Sequence, residues 1–324
     1  MSDVETAVRA DSVLLVGFGG PTPGCCKQHD PCPGEAYCFV HDILGKSPAR
    51  EKRAREVAHH YQVCGGGFSP YTPLTLEQAK NLEAALAARG HALPVVVGQR
   101  HWTPYVPEAI ARLAGQGKKR ALCVIMAPHQ STVSWDWYIK NVGEALDARP
   151  ELGIDVVGYV DPWWTHPGFV GACADRIRES AKGWTPERFA QASLVFTAHA
   201  IPAPVERTAP YARQFKETAA LVAKELGHPE HVCAYQSQPG DSSIPWSKPA
   251  INDVIHEVAK KGSKDVIVAP IGFLVDHMEV LFDLDVEARD EAQKAGIAFH
   301  RAGTVASHPK FIAMLADLIS AQLA

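Results

Sequence analysis

A chain of 324 residues, 46% hydrophobic and 21% charged, has the makeup of a globular protein of about two ordinary domains. Its net charge of −4 gives no footprint for nucleic acid, and no apolar run approaches the roughly 20 residues of a membrane span. The polar start MSDVETAVRADS lacks a signal-peptide core, so the expectation is a cytoplasmic protein with at most peripheral membrane contact. There, clustered cysteines point to metal before disulfide.

In chain order, SVLLVGFGG (12–20) reads as a buried strand ending in glycines. Residues 24–42 read as a loop with four cysteines, 49–61 as a helix and Cys64 to Gly67 as a turn. A helix at 76–89, a strand at 94–98 and a helix at 106–114 follow. Next come a strand at 121–128, a helix at 132–146 and a strand at 154–160. The second half repeats this rhythm: helix 169–182, strand 193–198, helix 211–226, strand 232–237, helix 251–260, strand 265–270. An acidic helix, a short strand (297–301) and a last helix (309–323) complete the chain.

Alternating strands and helices imply an α/β protein with parallel sheets covered on both faces. VIMAP (124–128) echoes VIVAP (266–270), and LLVGFGGPTP (14–23) loosely echoes LVFTAHAIPAP (194–204). The expectation is two similar Rossmann-like, doubly wound domains, 1–150 and 151–305, with a cleft between them. The helix in 306–324 is expected to pack back on the first.

VIVAPIGFLVDHMEVLFDLDVE (266–287) concentrates the chemistry. A β-branched run, closed by Pro270 and Gly272, leads into a helix opened by Asp276 and His277, with Asp276 as the expected cap. Glu279, Asp283 and Glu287 recur every fourth residue, so they share one helix face. Such a stripe is commonly a solvated face, but Met278, Val280, Leu281, Phe282, Leu284 and Val286 make this helix apolar on most sides. Buried acids need protons or cations as partners, and hard cations favour carboxylate oxygen. His199 lies just past the end of the 193–198 strand, where a doubly wound sheet places its ligands. A lone histidine is more often structural; an imidazole facing a carboxylate can bind a divalent ion or take protons from nitrogen.

These segments carry a resemblance. TAHAIP (197–202) resembles the S-A-H-S-L-P segment of ferrochelatases, and 270–287 resembles their P-(I/V)-G-F-x-x-D-H-x-E-V-L-(Y/F)-D-x-D-x-E segment. Further matches run in order along nearly the whole chain: 14–21, YQVCGGGFSP (61–70), Ala127-Pro128-His129 with Ser131-Thr132, and Tyr235-Gln236-Ser237 before Pro245-Trp246. The resemblance implies insertion of ferrous iron into a porphyrin by a two-domain enzyme. It implies His199 and Glu279 as the pair at the insertion site, one acting as base and the other as metal ligand in an order left open. Asp283 and Glu287 would extend an iron or proton path, with Asp276 and His277 in support. Trp246 would pack on the macrocycle, and Arg100 and His101 would face it from the first domain. Phe18 stands where relatives acting on coproporphyrin carry tyrosine; it packs but cannot ligate, which favours protoporphyrin over coproporphyrin.

Cys25, Cys26, Cys32 and Cys38 lie within fourteen residues rich in proline and glycine. Four thiolates suit zinc or a [2Fe-2S] cluster. Some ferrochelatases hold such a cluster, commonly near the C-terminus, where this chain has no cysteine. A [2Fe-2S] cluster on these four is therefore expected, with Cys64 in reserve because adjacent Cys25 and Cys26 do not easily point the same way. Two other readings stand beside the iron enzyme: a chelatase for cobalt or nickel, and a haem or iron carrier with a redox-sensing cysteine loop. Monomer and homodimer both remain open.

Overall fold

The computed structural model describes residues 9–24, 32–239 and 243–323. The chain divides into two compact units, Met1–Met126 with Ser134–Asp161 and Ile312–Ala324, and Ala127–Val133 with Pro162–Phe311.

The first unit holds β1 (Ser12–Gly17), α1 (Glu35–Ile43), α2 (Glu51–Gly65), α3 (Tyr71–Ala87), β2 (Val95–Gln99), α4 (Val106–Gly115), β3 (Arg120–Ile125), α5 (Trp137–Ala148) and β4 (Asp155–Tyr159). Its four strands are parallel in the order β2-β1-β3-β4. Every residue of β1 is buried, as expected of a strand covered on both faces. A helix starting at 76 was expected, but α3 starts at Tyr71. Its first turns bury Thr72, Thr75 and Gln78, and the Thr72 hydroxyl donates to the Gly20 carbonyl at 2.8 Å. Polar residues satisfied this way read as loop.

The cysteine segment also differs from expectation. Residues 35–43 are helical, and Cys38 is a fully buried residue of α1 rather than a loop thiol. Cys64 sits in the last turn of α2, which ends at Gly66 (φ 59°), not in a turn.

The second unit holds α6 (Pro167–Ser180), α7 (Pro186–Gln191), β5 (Ser193–His199), α8 (Ala203–Glu206), α9 (Tyr211–Leu226), β6 (Val232–Gln236), α10 (Ile251–Lys260), β7 (Asp265–Ala269), α11 (Met278–Phe282), α12 (Arg289–Lys294) and β8 (Ala298–Arg301). The last helix, α13 (Pro309–Gln322), spans the boundary between the units. The parallel order β6-β5-β7-β8 repeats that of the first sheet. The echoed segments occupy the same places: β1 and β5 sit second in their sheets, β3 and β7 third. From β5 the chain goes to one neighbour, β6, and then returns past β5 to β7. The gap at the carboxyl ends of β5 and β7 is therefore a topological switch point, where an open α/β sheet has room for a ligand.

Val266, Ile267 and Val268 of β7 are fully buried, each worth about 2 kcal/mol of hydrophobic stabilisation. Residues 283–288, between α11 and α12, form a π-helical turn. Val280, Leu284, Ala288 and Ala292 pack on Val254, Ile255 and Val258 of α10, all in one core. A stripe that recurs every fourth residue drifts by about 40° per step on an α-helix of 3.6 residues per turn. The wider i→i+5 turn removes much of that drift and keeps the stripe on the core. Among the described residues, no helix is long and apolar enough to cross a membrane.

Candidate active site

β5 delivers His199 to the switch point. Its carbonyl accepts a 3.0 Å hydrogen bond from the buried Tyr211 hydroxyl, and its Nδ1 bonds the Ala200 carbonyl. A carbonyl can only accept, so Nδ1 carries a proton and Nε2 is left to face outward. From β7 the chain turns through Pro270 and Gly272, whose N–H donates to the Thr197 carbonyl on β5 at 3.0 Å. This brings Glu279, in the first turn of α11, opposite His199. His199 Nε2 and Glu279 Oε2 stand 3.6 Å apart. That is too long for a hydrogen bond. It is close to the separation of two donors on one ion, about 3.4 Å for bonds of roughly 2.1 Å at a tetrahedral angle.

Both side chains are packed around yet open on one side, 33% and 44% exposed. Burial opposes charge on either one, but each overrides it for the other. Glu279, with help from the Ala200 carbonyl and Asp283, raises the His199 pKa, and the His199 charge lowers that of Glu279. Alone, the pair rests as imidazolium and carboxylate. His277 is the helix cap: its Nδ1 accepts from the Glu279 N–H at 3.3 Å. Burial, reinforced by the nearby His199 charge, lowers its pKa, so it is a neutral imidazole.

Asp276, expected as the cap, is held elsewhere. Arg301 of β8 grips both its oxygens at 3.1 Å, Thr304 donates to it at 3.1 Å, and the same guanidinium reaches Asp285 in the π turn at 2.8 Å. The acids 279, 283 and 287 run from the pair toward solvent, where Glu287 is exposed. Asp283 is pushed up to about 7 by burial and by the charges of Glu279 and Glu287, against a hydrogen bond from Ser237. Half-buried Trp246 bridges to Pro202, just after His199, and Ser247 N–H donates to the Ile201 carbonyl at 2.9 Å.

In the first unit, Phe18 follows β1 directly. Its ring centroid lies 4.8 Å from that of His101 and 6.1 Å from that of Phe39. His101 Nδ1 pairs with Asp42 at 3.1 Å, and this bond lowers the Asp42 pKa. The half-buried Arg100 guanidinium stacks 4.6 Å over Trp137, and burial lowers its pKa. Sequence reasoning assigned no role to Trp137, Arg301 or Gln236. Their partners lie up to 43 residues away, and the one quoted motif that includes any of them, Tyr235-Gln236-Ser237, gives Gln236 no role.

The expected cluster ligands are only partly in view. Cys25 and Cys26 lie outside the described residues. Cys32 is exposed, Cys38 is buried, and their sulfurs are 3.8 Å apart as free thiols. Among the described residues, no group of three or more His, Cys, Asp or Glu is arranged to hold a metal ion.

A family model described as ferrochelatase matches residues 28–323. The chain belongs to the ferrochelatase family. Similar ferrochelatases include one from Thermus thermophilus, 35% identical over 96% of this chain and 98% of that one, and one from Rhodopirellula baltica, 36% identical over 97% and 86%. A coproporphyrin III ferrochelatase from Mycolicibacterium vanbaalenii is 35% identical over 96% of this chain and 90% of its own length. Among solved structures, SirB from Bacillus subtilis with Fe3+ superposes with a TM-score of 0.58 at 13% identity, covering 97% of this chain and 95% of that one. At that identity it speaks for the two-sheet α/β fold alone. As a ferrochelatase the protein is a metal chelatase, with ferrous iron and a porphyrin as its substrates.

Proposed function

We propose that His199 and Glu279 form the iron-insertion site, with protoporphyrin IX as the porphyrin. Insertion forms four iron–nitrogen bonds and releases two protons from the pyrrole nitrogens. One group of the pair takes protons and the other meets the incoming ion; in either role His199 first gives up its Nε2 proton, because an imidazolium has no free lone pair. Asp283, poised near neutrality, and the exposed Glu287 exchange iron or protons with solvent. The observation that carries this reading is the 3.6 Å separation of Nε2 and Oε2 at the β5/β7 switch point.

Phe18 supports protoporphyrin: packed against Phe39, its ring offers an apolar face that cannot ligate. The name of the Mycolicibacterium relative favours a second reading, coproporphyrin III. Anaerobic mixing with ferrous iron and each porphyrin, followed by loss of porphyrin fluorescence, separates them. Faster turnover of protoporphyrin is expected; turnover of coproporphyrin alone would overturn the reading of Phe18.

A [2Fe-2S] cluster on Cys25, Cys26, Cys32 and Cys38 belongs to the same proposal, with Cys64 as the alternative ligand. The described thiols fit it: two sulfurs on one tetrahedral metal, with bonds of roughly 2.3 Å, stand about 3.8 Å apart, as Cys32 and Cys38 do. When bound, such a cluster would supply one-electron redox chemistry and tie this segment to α1. Purified protein should then be brown, with about two irons and two sulfides per chain. Colourless protein with stoichiometric zinc would contradict it.

A further inference from the structure

Behind the insertion pair lies one buried polar side chain that bonds to both of the segments carrying it. Gln236 ends β6, is 2% exposed, and stands opposite His199 in the β5–β6 register. Its Oε1 accepts from the Thr197 hydroxyl at 3.0 Å, two residues before His199. Its Nε2 donates to the main-chain carbonyl of Glu279 at 2.8 Å. Its own carbonyl accepts from the Ala200 N–H at 2.8 Å. One residue thus touches both flanks of His199 and the backbone of Glu279. The amide orientation is fixed by chemistry, because the Glu279 carbonyl only accepts and a flipped amide would set two oxygens face to face.

The first unit offers an internal comparison. Gln99 ends β2, the strand equivalent to β6, and pairs in register with Gly17 at the end of β1. Its amide meets a threonine hydroxyl, that of Thr72, at 3.0 Å, and that hydroxyl gives its proton to the Gly20 carbonyl. A glutamine amide thus meets a threonine hydroxyl at the same strand end in both units, and in the second unit it also bonds the segment that carries Glu279.

We propose that Gln236 is a positioning residue for iron insertion, its amide holding the His199 strand and the Glu279 turn in one geometry. This rests on the assignment of His199 and Glu279 above. In metal sites, partners that orient the ligands without touching the metal typically change affinity or activity by about 10–100-fold when removed.

Gln236→Met keeps the volume and loses both bonds; Gln236→Glu keeps the acceptor and places a second oxygen against the Glu279 carbonyl. Each should lower kcat by about 10–100-fold and raise the KM for ferrous iron, with porphyrin KM within about threefold of wild type. Thr197→Val, which frees the amide to turn, should show part of the loss, and Thr197→Ser should restore activity. Porphyrin binding stoichiometry counts the folded sites, so a purely structural role would lower that count while kcat per site held. If both Gln236 variants bind porphyrin fully and keep kcat per site within about twofold while His199→Ala is inactive, the positioning role is wrong and the pair stands. If His199→Ala turns over like wild type, the assignment beneath it fails.

Discussion

The His199 imidazole and the Glu279 carboxylate face each other at 3.6 Å, one at the end of β5 and the other in the first turn of α11. Eighty residues apart in sequence, they are brought together by the order β6-β5-β7-β8, which opens a gap where the connections leaving β5 and β7 run to opposite sides.

Gly272 sets how closely the Glu279 segment approaches β5. A Cβ there would lie 2.5 Å from the Ala198 Cβ and 2.6 Å from its Cα. A main-chain atom cannot rotate aside, so Gly272→Ala must displace the turn. The expected outcome is loss of iron insertion by about 10-fold or more, since small misplacements at a reacting centre are costly. Wild-type kcat in a folded Gly272→Ala variant would show that the approach is not limiting.

Arg301 joins Asp276 to Asp285, tying the turn before Glu279 to the π helix after it. Its side chain is 15% exposed and those of both acids 26%. Removing a buried cation leaves its carboxylates uncompensated. Arg301→Ala should cost about 2 kcal/mol, below the range for fully buried pairs because the acids remain partly wet. Urea unfolding of the variant checks this; an unchanged midpoint would contradict it.

His129 is 1% exposed, bonds Thr218 at 3.1 Å, and burial pushes it down to about 3. Folded, it stays neutral; unfolded, it takes a proton below its ordinary value of 6.5. The unfolded state thus binds more protons between pH 6.5 and 3, so the stability this residue confers is present above 6.5 and falls with pH across that window. Its share between pH 7 and 4 is about 3 kcal/mol. His129→Gln should flatten the pH dependence of Tm in that range. An equally steep curve would assign acid sensitivity to other groups.

The strands, and the place of His199 at the carboxyl end of one, were legible because a buried parallel strand has a plain signature, a β-branched run. The spacing of Glu279, Asp283 and Glu287 was legible too, but it reads as an α-helix. The π turn that keeps the acids aligned shows only once Val280, Leu284, Ala288 and Ala292 are seen to repeat with the same period of four. Asp276 was misread as a cap because an aspartate before a helix usually is one. Here Arg301, 25 residues on, claims it and leaves His277 to cap. The helix holding Cys38 was hidden by the prolines and glycines beside it. Gln236 was out of reach of local reasoning, since its amide bonds a threonine 39 residues before it and a carbonyl 43 residues after it.

The most direct test of the account is anaerobic insertion of ferrous iron into protoporphyrin by His199→Ala and Glu279→Gln beside wild type, with porphyrin binding measured on the same samples. The account predicts that both variants bind porphyrin and that neither inserts iron at a measurable fraction of the wild-type rate. Insertion at the wild-type rate by either variant would contradict it.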